Sequence, residues 1–365
     1  MNLISLVDKL YGGDALLVEP ALCLNPRQRA SDCRACLDAC PAAAIRLTDR
    51  MPEVDPLSCT GCARCEPACP TGVFRAKETV NLLPRLGEGA VAALSCMALP
   101  DGGATKVSCL AGLSTESIAA AATGRTLLLV MPDHCGECPV GGQAKLAALR
   151  ASAEQQLAAF GLAGQVKLVC GIHAAEAEAS KANQLDRRQF LRYARGGLMA
   201  AVMATMAAEK PPAALQDLPG LVPEGRRQFL TVARRQAGEW PERSERGSLS
   251  FATIELSEGC DGCEACTHSC PSGALELVRN GPADSLRFAP DRCMACGLCV
   301  AACPQRALSQ REQFSPRAVL MGETTTLGTI PLVTCDRCGK LFHGVTGPCP
   351  DCGKVDWMTE AILSL

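Results

Sequence analysis

Cysteines carry most of the chemistry that this sequence can support, since the chain has 25 of them among 365 residues. Most fall in C-x-x-C runs, whose sulfur atoms converge on one metal ion or cluster. Disulfide frameworks do not repeat this spacing along so long a chain. The spacing therefore predicts metal ligation, with the thiolates kept in a reducing compartment.

The second of two Cys-rich blocks holds two complete C-x-x-C-x-x-C-x-x-x-C-P runs. In such a run the first three cysteines bind one 4Fe-4S cubane, and the fourth, before the proline, binds the neighbouring cubane. A zinc site uses two cysteine pairs rather than interlocked quartets, which favours cubanes. The two expected ligand sets are Cys260, Cys263, Cys266 and Cys303, and Cys293, Cys296, Cys299 and Cys270.

The first Cys-rich block has one complete run and one irregular run, where Ala30 stands at the position of the leading cysteine. Cys23 is the candidate replacement, because a loop from Cys23 to Cys33 can still bring a sulfur to the cluster. The alternative is a three-cysteine 3Fe-4S site with Cys23 in the core. The expected cubane ligands are Cys23, Cys33, Cys36 and Cys69, and, for the neighbouring cubane, Cys59, Cys62, Cys65 and Cys40.

Each Cys-rich block reads as cysteine run, strand, turn, strand and cysteine run, so the two blocks form an internal repeat. The predicted strands are 44–47 and 53–55 in the first block, and 274–277 and 286–288 in the second. Both blocks resemble bacterial two-cluster ferredoxins. The resemblance implies short hairpins and helices around paired cubanes that lie close enough for electron hopping.

Between these blocks the pattern changes to that of an α/β domain. Apolar runs at 126–131 and 166–169 flank a helical repeat that ends at Gly161, which predicts a βαβ unit and a parallel sheet. Cysteines follow the apolar runs, at the edge where open α/β sheets place ligands. Four cysteines match the ligand count of a 2Fe-2S cluster or a zinc ion: Cys96, Cys109, Cys135 and Cys138.

The segment containing these four cysteines, with Pro132-Asp133-His134 before Cys135 and with Lys145 and Arg150 after Cys138, resembles a known iron-sulfur subunit. That delta subunit is shared by methyl-viologen-reducing hydrogenase and heterodisulfide reductase complexes. The resemblance implies a 2Fe-2S relay centre, although the family's two-cysteine first motif is reduced here to Cys96. The alternatives are zinc, a labile dithiol pair or no cluster.

Two further residues of this block are not expected to be ligands. His134 is expected to support the ligand loop or to face solvent. Cys170 is expected to be a buried residue at a strand end.

The terminal block contains two knuckles, C-D-R-C-G-K and C-P-D-C-G-K, which together predict a four-thiolate site. The pattern resembles a zinc ribbon and also the rubredoxin-like domain of rubrerythrins, which holds iron. Zinc is favoured because aromatic residues that would shield iron are sparse, although Phe342 and Trp357 keep iron open. The predicted ligands are Cys335, Cys338, Cys349 and Cys352.

The segment before the second Cys-rich block is predicted to be a bridging helix over 185–208 and an extended, proline-rich connector over 210–250. Arg187-Arg188-Gln189-Phe190-Leu191 and the apolar stretch after it resemble a twin-arginine export signal. The motif is internal, and its apolar stretch is too short to span a bilayer. We expect it to be non-functional, the chain to have no membrane span, and the protein to be cytoplasmic.

The predicted fold class is an α+β multidomain protein with two ferredoxin-like modules, a middle α/β domain with a parallel sheet and a small zinc-ribbon-like domain. The predicted ranges are 1–80 for the first module, 81–180 for the middle domain, 181–250 for the bridge, 251–315 for the second module and 328–358 for the ribbon.

Composition and motifs narrow the function. A net charge of -2 and an aromatic content of 3% argue against nucleic acid as a partner. Neither a G-x-G-x-x-G turn nor a P-loop occurs. Fully ligated cubanes leave no open iron for catalysis, although the irregular cluster at Cys23 could have one.

The sequence thus predicts a non-catalytic electron-transfer subunit. Its expected partners are hydrogenase, formate dehydrogenase or heterodisulfide-reductase-like subunits. The alternatives are a free polyferredoxin, or a redox-responsive, iron-responsive or cluster-delivery protein.

Overall fold

The computed structural model describes eight stretches of the chain. They are 16–27, 31–140, 142–176, 222–236, 238–247, 249–280, 283–343 and 347–353. The predicted bridging helix over 185–208, the twin-arginine-like motif and Trp357 lie outside the described residues.

The first module is built from two antiparallel strand pairs and three short helices. The hairpin of β2 and β3 turns through Asp49 and Arg50, whose φ angles of 51° and 67° suit a tight two-residue hairpin turn. A second pair, β1 with β4, joins the two ends of the module. Its elements are β1 Leu16–Val18, α1 Leu24–Arg27, α2 Ala35–Ala39, β2 Ile45–Thr48, β3 Met51–Val54, α3 Cys65–Ala68 and β4 Phe74–Ala76.

The middle domain contains a four-stranded sheet in the order β6-β5-β7-β8, in which all neighbouring strands are parallel. This confirms the predicted parallel sheet. The helix between β7 and β8 supplies the crossover that parallel strands need. Its elements are α4 Lys77–Val80, α5 Leu82–Leu86, β5 Val91–Cys96, β6 Thr105–Val107, α6 Thr115–Ala122, β7 Thr126–Met131, α7 Gln143–Ala159 and β8 Gln165–Cys170.

Part of the predicted extended connector is helical instead: α8 spans Glu224–Arg235. Phe229, Leu230 and Ala233 recur on one face of this helix and are buried in the main core. The prolines that suggested an extended chain lie outside this helix, and Pro223 is at its N-cap position, where proline is tolerated. The helix packs against α6, whose alanines allow a close approach.

The second module repeats the arrangement of the first, with the hairpin of β11 and β12 and the closing pair of β10 with β13. The long strand β15 pairs with β12, and β16 pairs with β15, so the start of the predicted terminal domain shares a sheet with this module. The elements are β9 Ser244–Glu245, β10 Thr253–Leu256, α9 Ala265–Ser269, β11 Leu275–Asn280, β12 Ala283–Phe288, α10 Leu298–Ala302, β13 Leu308–Arg311, β14 Gln313–Phe314, α11 Pro316–Met321, β15 Thr325–Thr334 and β16 Leu341–His343.

The largest apolar core joins the middle domain to α8 and to the segment after the second module. Four phenylalanines meet in it. The ring centroids of Phe160 and Phe229 lie 4.9 Å apart, and those of Phe251 and Phe314 lie 5.3 Å apart. Because these rings come from four separate segments, they pack the middle domain, α8 and the segments that flank the second module into one body.

Candidate iron-sulfur and metal centres

One local geometry occurs at all four cysteines that precede a proline in the two modules. The third residue after each of these cysteines has a positive φ, and the backbone amide of the fourth donates a hydrogen bond to the cysteine sulfur. The donor-acceptor distances are 3.3 Å for Ala44 to Cys40, 3.4 Å for Val73 to Cys69, 3.2 Å for Ala274 to Cys270 and 3.3 Å for Ala307 to Cys303. Such N–H···S bonds favour the thiolate form that a cluster requires.

The complete runs share a second feature, a pair of left-handed residues between their first and third cysteines. These residues turn the loop tightly enough for the sulfurs to face a common centre. The pairs are Gly61 and Ala63, Gly262 and Glu264, and Ala295 and Gly297.

In the second module, the structure brings together one predicted set around a small apolar cavity. Cys260, Cys263, Cys266 and Cys303 line this cavity with Leu256, Leu277, Leu286, Leu308 and Ile330. Thiolates within an aliphatic wall are the environment that a 4Fe-4S cubane occupies, since the wall excludes water and the sulfurs supply the four ligands. The donor set therefore fits a cubane.

The other predicted set of the second module also converges. The pKa of the Cys299 thiol is raised to about 12, first by burial and then by the charge of three neighbouring cysteines. Those three are Cys293, Cys270 and Cys296. Sulfurs with such a pKa must release protons when they bind a metal.

The cysteines predicted to bind with the complete run of the first module also converge. Burial raises the pKa of Cys65 to about 12, with further contributions from the other members of its predicted set. Those members are Cys62, Cys59 and Cys40.

At the irregular run, Cys23 lies with the three cysteines that the sequence assigned to the same site. Burial raises the pKa of Cys36 to about 11, and the charges of Cys69, Cys33 and Cys23 add to this effect. Cys23 is itself buried. The left-handed pair of the complete runs does not recur around Cys33: Asp32 before it has no positive φ, and Arg34 after it has a φ of -120°. Instead the side chain of Asn25 is hydrogen bonded to both backbone groups of Cys33.

The four predicted cysteines of the middle domain meet at the carboxyl edge of its sheet. Burial raises the pKa of Cys109 to about 11, and the charges of Cys96, Cys62 and Cys135 add to it. Cys135 in turn lies near Cys138. Cys96 is the last residue of β5, and Cys135 lies in a single-turn helix after β7. His134 is exposed.

Cys170, which the sequence left unassigned, ends β8 next to Met131 in parallel register and acts electrostatically on Cys135. It is exposed rather than buried, which corrects the sequence interpretation. The predicted parallel sheet could have placed Cys170 near the other cysteines of this domain, because the carboxyl ends of neighbouring parallel strands lie at one edge of the sheet.

The edge of the middle domain packs directly on the first module. A Cβ at Gly112 would overlap the carbonyl oxygen of Cys62, so only glycine fits at this contact. Arg64 donates a hydrogen bond to the carbonyl of Val140 at 2.8 Å. The cysteines of the middle domain therefore lie beside the Cys59-to-Cys65 loop.

In the terminal block, one ligand atom from each of four cysteines lies within 4.8 Å of the others. The set is Cys335, Cys338, Cys349 and Cys352. The amide of Cys349 donates to the sulfur of Cys335 at 3.1 Å, and Gly339 has the left-handed φ of a metal knuckle, 71°. The donor set is that of a tetrahedral zinc or iron site. His343 of this block is hydrogen bonded to Asp284 of the second module at 2.8 Å.

Comparisons with known proteins agree with the geometry of the two modules. The 4Fe-4S dicluster domain family matches at residues 31–73 and again at 259–307. One component of an ion-translocating oxidoreductase complex from Methanosarcina acetivorans is 40% identical over 67 residues, which are 18% of this chain and 23% of that protein. A ferredoxin from Pyrobaculum islandicum is 39% identical over 59 residues, 16% of this chain and 52% of that protein.

This chain therefore spans about half or less of the length of these curated relatives. The family matches confirm the predicted 4Fe-4S modules at two places in the chain. Within the described ranges, no helix combines the length and the apolar character needed to cross a lipid bilayer.

Proposed function

We propose that this chain is a multi-cluster electron-transfer subunit that relays electrons between redox enzyme partners. The partners we infer are hydrogenase, formate dehydrogenase or heterodisulfide-reductase-like subunits. The observation that carries the proposal is that the cysteine sets are packed against one another in a single body. A series of adjacent metal centres suits the conduction of electrons through the protein, and this function requires no substrate site.

Contacts between neighbouring parts of the protein support one spatial order of the cysteine-lined centres. Gly112 places the middle-domain cysteines against Cys62 of the first module. Cys69 of the first module and Met294 of the second line the same cleft. At the far end, Gly262 of the second module packs against His343, which follows the first knuckle of the terminal site. The proposed order is therefore middle domain, first module, second module and terminal site.

We assign four cubanes to the two modules by the predicted ligand sets, with Cys23 as a ligand of the irregular one; the proximity of the cysteines within each set supports this assignment. These clusters accept and release single electrons when bound. The protein's own residues hold the thiolates, exclude water with aliphatic side chains and donate amides to sulfur. We further propose a 2Fe-2S centre at the middle-domain edge and zinc at the terminal site, with rubredoxin-like iron as the alternative there.

The relative from Methanosarcina acetivorans is named as a subunit of an oxidoreductase complex, and this supports a role inside an assembly. Size-exclusion chromatography of native extract tests that role. A cluster-bearing peak well above the size of one 38.2 kDa chain is expected. A peak at monomer size would favour a free polyferredoxin instead.

The cofactors are tested by counting iron, sulfide and zinc in the anaerobically purified chain, together with an EPR-monitored reductive titration. We expect about 18 iron atoms and one zinc per chain, since four cubanes and a 2Fe-2S centre require that number of irons. Reduction and reoxidation should proceed without loss of iron. Irreversible iron loss on a redox cycle would contradict a relay and point to a sensor or a cluster-delivery protein.

A further inference from the structure

Arg226 is a buried arginine at the junction of the two ferredoxin-like modules. It belongs to the first turn of α8, and its side chain is 2% exposed. One guanidinium nitrogen donates to the carbonyl of Ser250 at 2.6 Å, and the guanidinium carbon lies 3.9 Å from the centroid of the Phe251 ring. These contacts hold the guanidinium in a single position.

The positive charge of Arg226 is not paired directly with an acidic side chain, although the charges of Glu116 and Asp291 act on it from a greater distance. Within the described part of the chain, no carboxylate lies within ion-pair distance of its guanidinium, and its Nε has no hydrogen-bond partner. Asp291, one of the nearest acidic residues, is paired with Arg234 at 3.3 Å. A buried cation is costly unless an anion compensates it. Cys293 also acts electrostatically on Arg226, so a cluster bound at that cysteine would add negative charge beside the buried guanidinium.

The cleft around Arg226 places it between cysteines of both modules. Cys69 and Pro70 of the first module and Met294 of the second line this cleft. A second guanidinium nitrogen of Arg226 lies 3.5 Å from the carbonyl oxygen of Pro290. Cys293, between Pro290 and Met294 in sequence, is a predicted cubane ligand. Burial raises the pKa of Cys293 to about 11, and the charge of Arg226 opposes that rise.

We propose that Arg226 is a fixed positive charge that raises the reduction potential of one cluster, the one assigned to Cys293, Cys296, Cys299 and Cys270. This inference rests on the proposed occupancy of both modules. Four thiolates make a cubane anionic, and reduction adds one electron without making or breaking a bond. A nearby buried cation therefore stabilises the reduced form more than the oxidised form, because Coulomb energies are large where water is excluded.

The proposal also explains why an arginine stands here. A purely structural link between Ser250 and Pro290 would need no charge, and well-packed apolar residues in place of a buried charge are often neutral or stabilising. Arg226 lies where the two modules meet. Its charge therefore favours reduction of the adjacent cluster of the second module over reduction of the first module's cluster at that junction.

The test is an EPR-monitored redox titration of the full, cluster-loaded chain and three variants. Arg226→Met removes the charge but keeps an apolar side chain of similar length, whereas Arg226→Lys keeps the charge. Arg235→Gln is the matched control, because it removes a positive charge from an exposed position on the same helix. Pairing each Arg226 variant with Cys296→Ser identifies the signal of the cluster concerned.

In Arg226→Met we expect one cubane to become harder to reduce by about tenfold in the equilibrium constant, which is a fall of about 59 mV. The other midpoint potentials should stay unchanged, as should all potentials in Arg235→Gln. Arg226→Lys should retain most of the wild-type potential. Unchanged potentials in a fully loaded Arg226→Met would overturn the proposal.

Two further outcomes separate this inference from the proposed function. If Arg226→Met fails to load clusters, Arg226→Gln replaces it, and failure of both neutral variants would overturn the proposal in favour of a structural role. If the wild-type chain itself binds no cubane in the second module, the proposed function fails first, and iron and sulfide counts on that chain show this directly.

Discussion

Asn25 holds Cys33 by both of its backbone groups: its Nδ2 donates to the Cys33 carbonyl at 2.9 Å, and its Oδ1 accepts from the Cys33 amide at 2.8 Å. Ser31 also donates to this Oδ1. Asn25 follows Cys23 by two residues and is 3% exposed. The paired hydrogen bonds therefore hold the Cys23 segment against the irregular run. In a complete run the leading cysteine is part of the run itself and needs no such link.

Replacing Asn25 with alanine is expected to weaken one cubane of the first module. The change removes both of these hydrogen bonds from the half-buried Cys33, and a typical hydrogen bond contributes about 0.5–1.5 kcal/mol to stability. Iron content and cubane EPR intensity after mild oxidant exposure measure the effect. Asn25→Asp, which keeps the acceptor and loses the donor, should be intermediate. Equal cluster lifetimes in all three proteins would contradict this role.

Cys23→Ser is expected to convert or destroy one cubane and to leave the other clusters intact. Its sulfur is assigned to the same centre as Cys33, Cys36 and Cys69, and serine is a poor substitute for a thiolate ligand. The measurement is iron per chain together with EPR, which distinguishes 3Fe-4S from 4Fe-4S. Cys170→Ser is the control and should keep every cubane. A Cys23→Ser protein with wild-type spectra would support the three-cysteine alternative.

Gly112→Ala is expected to separate the middle domain from the first module. The added Cβ would overlap the backbone carbonyl of Cys62, and backbone cannot move aside as a flexible side chain can. Overpacking of this kind costs about 1–3 kcal/mol. Thermal unfolding under anaerobic conditions measures the loss. Gly142→Ala is the control in the same domain, since a Cβ there meets no atom within 4 Å. Equal stability of the two variants would contradict the predicted contact.

Phe229→Ala is expected to destabilise the joint between the middle domain and the second module by about 3–5 kcal/mol. Its ring is fully buried and lies edge-on to Phe160 at 4.9 Å. Denaturant unfolding of the cluster-loaded chain tests this. Leu57→Ala, at a side chain that is 84% exposed, should change stability by less than about 0.5 kcal/mol. A small effect at Phe229 would mean that the aromatic cluster does not hold the joint.

The cysteine sets and the parallel sheet could be predicted from the sequence because both depend on local patterns. A cysteine run specifies its own cluster loop because its ligands lie a few residues apart, and the strand-helix-strand spacing of 126–169 implies a parallel pair for the same reason. The family matches confirm the two 4Fe-4S modules, whereas all the ligand assignments, including those of Cys23 and of the middle and terminal sites, stay predictions.

The helix at Glu224–Arg235 could not be predicted from its surroundings. Prolines and charges dominate residues 210–250, and the apolar residues of this helix are few. It is stabilised by burial of Phe229 and Leu230 against residues more than sixty positions away in sequence. Most helical stability in proteins comes from such packing rather than from propensity.

The sequence by itself determined which sulfurs can share a cluster and that two modules repeat, because those properties reside in short spacings. Only the tertiary structure decided that Cys62 lies against Gly112, that Cys69 and Met294 share a cleft, and that Arg226 is buried between the modules. The physical reason is that burial and charge proximity arise from contacts between distant segments. Residue type and local spacing do not encode these contacts.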